Sequence, residues 1–196
     1  IAAAHGARII RLRSEDFTFG YSLNLGIRAA RGRYVAIVSA HAIPADERWI
    51  ERLVGPLRDD LTAMAYGGQR GHAVSKFSEC VDFERVFPDA PAVQVVEDEA
   101  FANNANSAVR RDVWEQHPFD EGLPGLEDME WARHAVVHGY RVAYVPEATV
   151  IHVHAESWPQ VRRRYYREGM AARWVQIRLL RSIPRELVRE LFWMAG

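Results

Sequence analysis

The chain has 196 residues, 48% of them hydrophobic and 26% charged, with a formal net charge of -1. That balance excludes a disordered or fibrous chain, and near-neutrality argues against nucleic acid as the main partner. A lone cysteine, Cys80, excludes a disulfide framework and a cysteine-built zinc site, and the longest apolar run, Tyr34–Val38, is far too short to cross a bilayer.

Residues 1–6 read as the last turn of a helix closed by Gly6, so at least one strand and most of a helix are expected upstream. Residues 7–12 alternate apolar and basic side chains, the pattern of a half-buried strand. A polar loop over 14–20 leads to a helix over 22–30, ended by Gly32. Tyr34–Val38 is a continuous apolar run with β-branched residues, which predicts a central parallel strand buried on both faces. The loop 39–44 follows, and Asp46 is placed to cap a helix whose apolar positions are Trp49, Ile50, Leu53, Val54 and Leu57. With a short strand at 63–66, this β-α-β-α-β run predicts a mostly parallel sheet covered by helices. Glycines and prolines break the pattern over 67–101, a long excursion carrying a short helix near 77–87. Then come a strand or loop at 103–108, a short helix at 110–116 and a clear helix over 126–138 ended by Gly139. Strands are expected at 141–144 and 149–154, and from Ser157 onward the chain is helical and strongly basic.

Three groups of residues are candidates for chemistry. Ser39-Ala40-His41 follows the predicted buried strand, and ligands of open α/β sheets bind at the carboxyl ends of strands; the alternative is an ordinary loop histidine. Glu127 and Asp128 open the helix over 126–138, where acids also simply complement the helix dipole. Asp128 shares a helix face with Trp131, a combination that suits a general base beside a sugar-stacking ring. His152 and His154 fall on one face of a strand, and with His41 they would supply three metal ligands; the alternative is a strand edge with surface histidines.

Six stretches, at 17–26, 32–44, 102–111, 118–121, 125–131 and 144–152, resemble in order those of family 2 glycosyltransferases with the GT-A fold, close to the bacterial polysaccharide rhamnosyltransferase-like group. The resemblance implies an α/β GT-A-like domain over 1–156 whose N-terminal strand is missing, followed by a basic helical extension over 157–196. It implies an inverting transfer from a nucleotide-sugar donor to a glycan or lipid-linked acceptor in cell-surface polysaccharide synthesis.

The resemblance also assigns roles. Asp128 matches the family's catalytic base, with Glu127 orienting it or binding the acceptor. Ser39 and His41 stand where the family has its metal-holding Asp-any-Asp motif, so both acids are replaced. His152 matches a histidine that completes the metal shell in some relatives. The resemblance implies a divalent metal, Mn or Mg, tilted toward manganese or another transition metal because magnesium prefers oxygen ligands; the alternative is a site that manages with little metal and uses basic residues for the diphosphate. Gly20 and Asn24 resemble the segment packed beside the nucleotide, although Leu23 stands where the family often has arginine. Gln69 is a donor-site candidate, Asn103, Asn104 and Asn106 offer amides to sugar hydroxyls, and Arg110 and Arg111 are candidates for phosphate contact. Trp131 would stack on an apolar sugar face.

The basic tail, with Arg162, Arg163, Arg164, Arg167 and Arg173 among aromatic residues, has the makeup of an interfacial membrane helix or of a helix packed on the domain or a second copy. The expected location is cytoplasmic, without a secretory leader pattern, and peripheral on the inner face of the plasma membrane. Two further readings stay open: a non-catalytic module that binds glycan or nucleotide, and a metal hydrolase built on His41, His152 and His154.

Overall fold

A computed structural model describes residues 2–153 and 156–175. The helices are α1 (Phe19–Ala29), α2 (Trp49–Val54), α3 (Phe77–Val86), α4 (Arg111–Trp114), α5 (Glu127–Val137) and α6 (Trp158–Trp174). The strands are β1 (Tyr34–Val38), β2 (Ala42–Pro44), β3 (Thr62–Gly71), β4 (Ala92–Gln94), β5 (Asn106–Arg110) and β6 (Arg141–His152). They form one sheet in the order β1-β5-β3-β6-β2, with β4 also pairing β6.

The α/β architecture follows the expectation, but the sheet is mostly antiparallel. β3 and β6 are the parallel pair among the described residues, while β1–β5, β3–β5, β2–β6 and β4–β6 are antiparallel. β1, β3 and β6 do run the same way, as the helical crossovers require. The excursion between β3 and β5 differs. It delivers the chain back to the carboxyl ends of β1 and β3, so β5 enters there and runs down between them. Asn106 consequently pairs with Val38, and Arg110 with Tyr34.

Among the described residues β1 stands at one end of the strand order, half-buried, rather than at the sheet's centre. Both of its faces are nonetheless covered. Val35 and Ile37 pack on a core around Met64, Tyr66 and Trp131, whereas Tyr34 and Ala36 pack on a second core around Leu53, Leu57 and Ala65. Residues 7–12 form no strand; Arg8 instead donates to the carbonyl of Ala29 at 2.8 Å. Alternation produces a strand only where a neighbour offers a ladder to bond with.

The two C-terminal strands expected from sequence are one strand, β6, with a bulge. The register against β3 shifts between Gly67 and Gln69. Asn106 fills the gap, donating its amide to the carbonyls of Gly68 at 3.0 Å and Ala148 at 2.7 Å. Gly67 is required there, because a Cβ would collide with the Ala148 carbonyl and the Asn106 amide. Among the described residues no helix is long and apolar enough to cross a membrane.

Candidate active site

The carboxyl end of β1 and the amino end of β5 meet the start of α5. Leu126 precedes the helix at φ 59°, a left-handed conformation that costs a non-glycine residue roughly 1–3 kcal/mol. Just past this bend Glu127 and Asp128 begin α5 with both side chains buried, 5% and 9% exposed.

A tight turn supports them. Asn103 accepts from the amides of Ala105 (through Oδ1, 3.0 Å) and Asn106 (through its carbonyl, 3.1 Å), which presents Asn104 to the helix. The Asn104 backbone amide donates to Asp128 Oδ2 at 2.9 Å, and its side-chain Nδ2 donates to Glu127 Oε1 at 3.3 Å. Ser107 Oγ donates to Asn104 Oδ1 at 2.8 Å and fixes that amide's orientation. The Met129 amide donates to Asp128 Oδ1 at 2.9 Å.

Burial sets the electrostatics. It pushes the Glu127 carboxyl up to about 7, reinforced by the charge of Asp128; Asn104 and Arg167 oppose the shift. Burial also raises Asp128, against the backbone N–H groups that favour its charged form. A carboxyl whose proton is exchangeable near neutrality is suited to acid–base work.

The same rim carries the histidines. The Ser39 amide donates to the carbonyl of Ala105 at 3.1 Å, so the end of β1 and the α5 carboxylates are tied to consecutive residues of one loop. Pairing of β2 with β6 sets Ala42 opposite His152 and brings the His41 and His152 rings into a stack, centroids 4.7 Å apart and planes at 24°. Ser39 Oγ lies 3.1 Å from His41 Nδ1, and His152 Nδ1 lies 2.6 Å from Oε1 of the buried Gln69. Gln69 thus belongs to the histidine group.

No divalent-metal site is formed by side chains alone among the described residues. Among the described residues no group of three or more His, Cys, Asp or Glu side chains could hold a metal ion. Stacked imidazoles also direct their in-plane lone pairs along neighbouring planes rather than at one point. The three-histidine hydrolase finds no ligand set among the described residues, and His154 lies outside them.

Other candidates serve the scaffold. Asn24 uses its whole amide internally: Nδ2 donates to the Phe119 carbonyl and Glu121 Oε1, both at 2.8 Å, and Oδ1 accepts from Trp114 Nε1 at 3.0 Å and the Phe119 amide at 3.1 Å. Gly20, one turn earlier, lets α1 approach the Asp120 carbonyl, which a Cβ would strike. Together they clamp the Pro118-Phe-Asp-Glu121 segment. Asn106 spends its amide on the bulge, and its Oδ1 accepts from Trp49 Nε1 at 2.8 Å. Trp131 is 0% exposed and donates Nε1–H to the His117 carbonyl at 2.6 Å, so it presents no face to a sugar. Arg110 lies at the opposite end of β5, with Nε 3.0 Å from Asp112 Oδ1 and further bonds to Asp112 and the Asp60 carbonyl. That end of the sheet is away from the carboxylates, and Arg111 there donates to the Gly32 carbonyl at 2.8 Å.

Sequence reasoning missed α6 as part of the site. The helix docks on α3, where Arg164 bonds Glu79 Oε1 at 2.9 Å, and it carries Arg167 to Gly125: a Cβ on that glycine would sit 3.9 Å from Arg167 Nε. Glu168, raised by burial, also senses the charge of Asp128. No local pattern announces this, because the contacts arise from docking across the fold.

The family model described as glycosyltransferase like family 2 matches residues 1–171. The chain belongs to that family. The match runs through Arg167 and past the division expected between residues 156 and 157. The O-antigen chain rhamnosyltransferase RfbN of Salmonella typhimurium is 29% identical over 184 residues, covering 86% of this chain and 57% of that protein. The corresponding WbaN of Salmonella anatum is 25% identical over 179 residues, 87% of this chain and 57% of its own length. The family-2 chain thus spans a little over half the length of these relatives. Its fold resembles the mannosyltransferase PcManGT of Pyrobaculum calidifontis, solved with GDP-Man and Mn2+ (TM-score 0.66, 20% identity, 92% of this chain and 49% of that one). It also resembles GalNAc-T7, solved with UDP, GalNAc and Mn2+ (TM-score 0.56, 17% identity, 78% of this chain and 33% of that one).

Proposed function

We propose that this chain carries the catalytic machinery of an inverting glycosyltransferase. It moves a sugar from a nucleotide-sugar donor to a glycan or lipid-linked acceptor in cell-surface polysaccharide synthesis. The observation that carries the reading is the buried Glu127–Asp128 pair, held by Asn104 at the rim where Ser39, His41 and His152 also stand. The rhamnosyl activity named for both curated relatives puts deoxyhexosyl donors first.

Asp128 takes the proton of the acceptor hydroxyl as that oxygen attacks the anomeric carbon. The bond to the diphosphate breaks on the opposite face, so the configuration inverts. Charge on either carboxyl raises the other's affinity for a proton, so the buried Glu127–Asp128 pair gives up its protons in turn. The leaving diphosphate accumulates charge, and the Ser39 hydroxyl and the His41 and His152 ring nitrogens offer it hydrogen-bonding groups. Manganese seen in the solved neighbours suits imidazole better than magnesium does, but no step here depends on a metal. The exposed Trp158, Tyr166 and Trp174 beside the arginines of α6 support peripheral contact with an anionic membrane.

A donor screen on the full-length protein tests the reading, with the anomeric configuration of the product read by NMR. Transfer with inversion is the expected result; a retained configuration contradicts it. The replaced acids at Ser39 and His41 favour a second reading, a module that binds without turnover, and any donor hydrolysis or transfer removes it.

A further inference from the structure

Three histidines outside the candidate site form a stack on α5. The His117 and His134 rings have centroids 3.5 Å apart with planes at 11°, and the His134 and His138 rings 3.9 Å apart with planes at 27°. His134 and His138 are one helical turn apart on α5, whereas His117 comes from the loop after α4. The stack therefore joins two segments. The same junction holds the Trp131 indole, which donates to the His117 carbonyl at 2.6 Å, and the residues just after His117 are those clamped by Asn24.

The three rings have unequal surroundings. His117 Nε2 lies 3.3 Å from Glu130 Oε1, and His138 Nδ1 lies 2.8 Å from the His134 carbonyl oxygen. Among the described residues the ring nitrogens of His134, in the middle, have no hydrogen-bond partner. Glu97, Glu130 and Arg133 are the charged side chains that line the cleft on this face, and Val137, Trp174 and Val175 beside them do not titrate. Arg133 is committed to Glu97 and to the Val175 carbonyl at 2.6 Å. One carboxylate, Glu130, is thus left to face three rings. Burial, then the charges of His117 and His138, hold the His134 ring down to about 4.

We propose that the His117–His134–His138 stack is an acid-sensitive latch: it fastens the 117–121 segment to α5 while the middle ring is neutral, and it opens when that ring takes a proton from solvent. Rings in van der Waals contact leave no room for water between them, so charge on adjacent rings is poorly screened. Because α5 also begins with Glu127 and Asp128, opening loosens the helix that carries the two carboxylates. The folded value of His134 lies below its ordinary 6.5, so the stack's contribution is full above about 6.5 and is lost as pH falls through about 4. That is the reverse of the dependence set by Glu127, which keeps the two separable. The latch stands without the transferase reading.

Thermal melting of the full chain at pH 7.5 and 4.5 tests it by comparing wild type with His134→Phe, which keeps a ring in the stack but cannot bind a proton. The melting temperature of the variant relative to wild type should rise by about 4 °C or more between pH 7.5 and pH 4.5. At pH 4.5, hydrogen exchange over 115–121 and α5 should be about fivefold or more faster in wild type than in the variant, with β3 and β6 alike in both. NMR titration of the wild-type imidazoles needs no variant: the His134 ring should keep its neutral-form shifts well below pH 6.5. Parallel loss of stability in wild type and His134→Phe, faster exchange spread evenly over the fold, or a His134 midpoint near 6.5 overturns the latch.

Discussion

Two clusters of buried polar residues stand at either side of the 118–126 segment, and they are built on opposite terms. In the clamp of Gly20 and Asn24, every donor and acceptor of the amide has a neutral or exposed partner. In the mouth of α5, two carboxylates are buried side by side with few donors, so both hold their protons more tightly than in water. The first arrangement lowers the energy of the folded chain. The second carries an electrostatic cost, and such costs persist where chemistry uses them.

The contrast is broken most severely at Asp128. Asp128→Asn in the full-length protein lowers transfer by about 10²–10⁴-fold, the range of a general base, with little change in melting temperature. Asn24→Ala has the opposite signature. It strands the Trp114 indole N–H and the Phe119 backbone groups, costs on the order of 2–4 kcal/mol in urea unfolding, and leaves the acceptor KM of the surviving folded fraction unchanged.

A pH comparison sharpens the distinction. The folded value of Glu127 lies above its unfolded one, so its contribution to stability is full below about 4.5 and is lost as pH rises toward about 7. Glu127→Gln should therefore melt later than wild type at pH 8 and not at pH 4, whereas Asn24→Ala should melt early at both. Replacing Ser39 and His41 together by aspartate should restore oxygen ligands and make nucleoside diphosphate binding several-fold more responsive to magnesium than in the wild type, by calorimetry. The smallest effect is expected at Arg110, where Arg110→Gln lowers stability by about 1–2 kcal/mol and leaves kcat within about twofold.

Much of this was legible in the residues. The Tyr34–Val38 run announced a strand covered on both faces, and the Glu127–Asp128 pair announced a helix mouth, because both signals are local. Strand direction was not legible. Whether β5 runs parallel or antiparallel depends on where the excursion over 72–105 returns the chain, and no periodicity encodes that. Burial misled at Trp131: helix spacing correctly aligned it with Asp128, but only the packed core shows that Phe119 covers the ring, 5.8 Å between centroids. The asparagines divide for the same reason. Asn104 and Asn106 look alike in sequence, yet one bonds carboxylates and the other a strand bulge. The approach of Arg167 to Gly125 was hidden because it depends on docking of a helix that reads as a surface.

The most direct test is the pH dependence of kcat/KM for transfer, measured on wild type and Glu127→Gln. A base made sluggish by burial beside a second carboxyl should give a rate that rises through the neutral region, and removing the ionisable neighbour should move that rise to lower pH. A profile that is flat from pH 5 to 8, or a rise that stays in place in Glu127→Gln, would contradict the assignment of Asp128 as the proton acceptor.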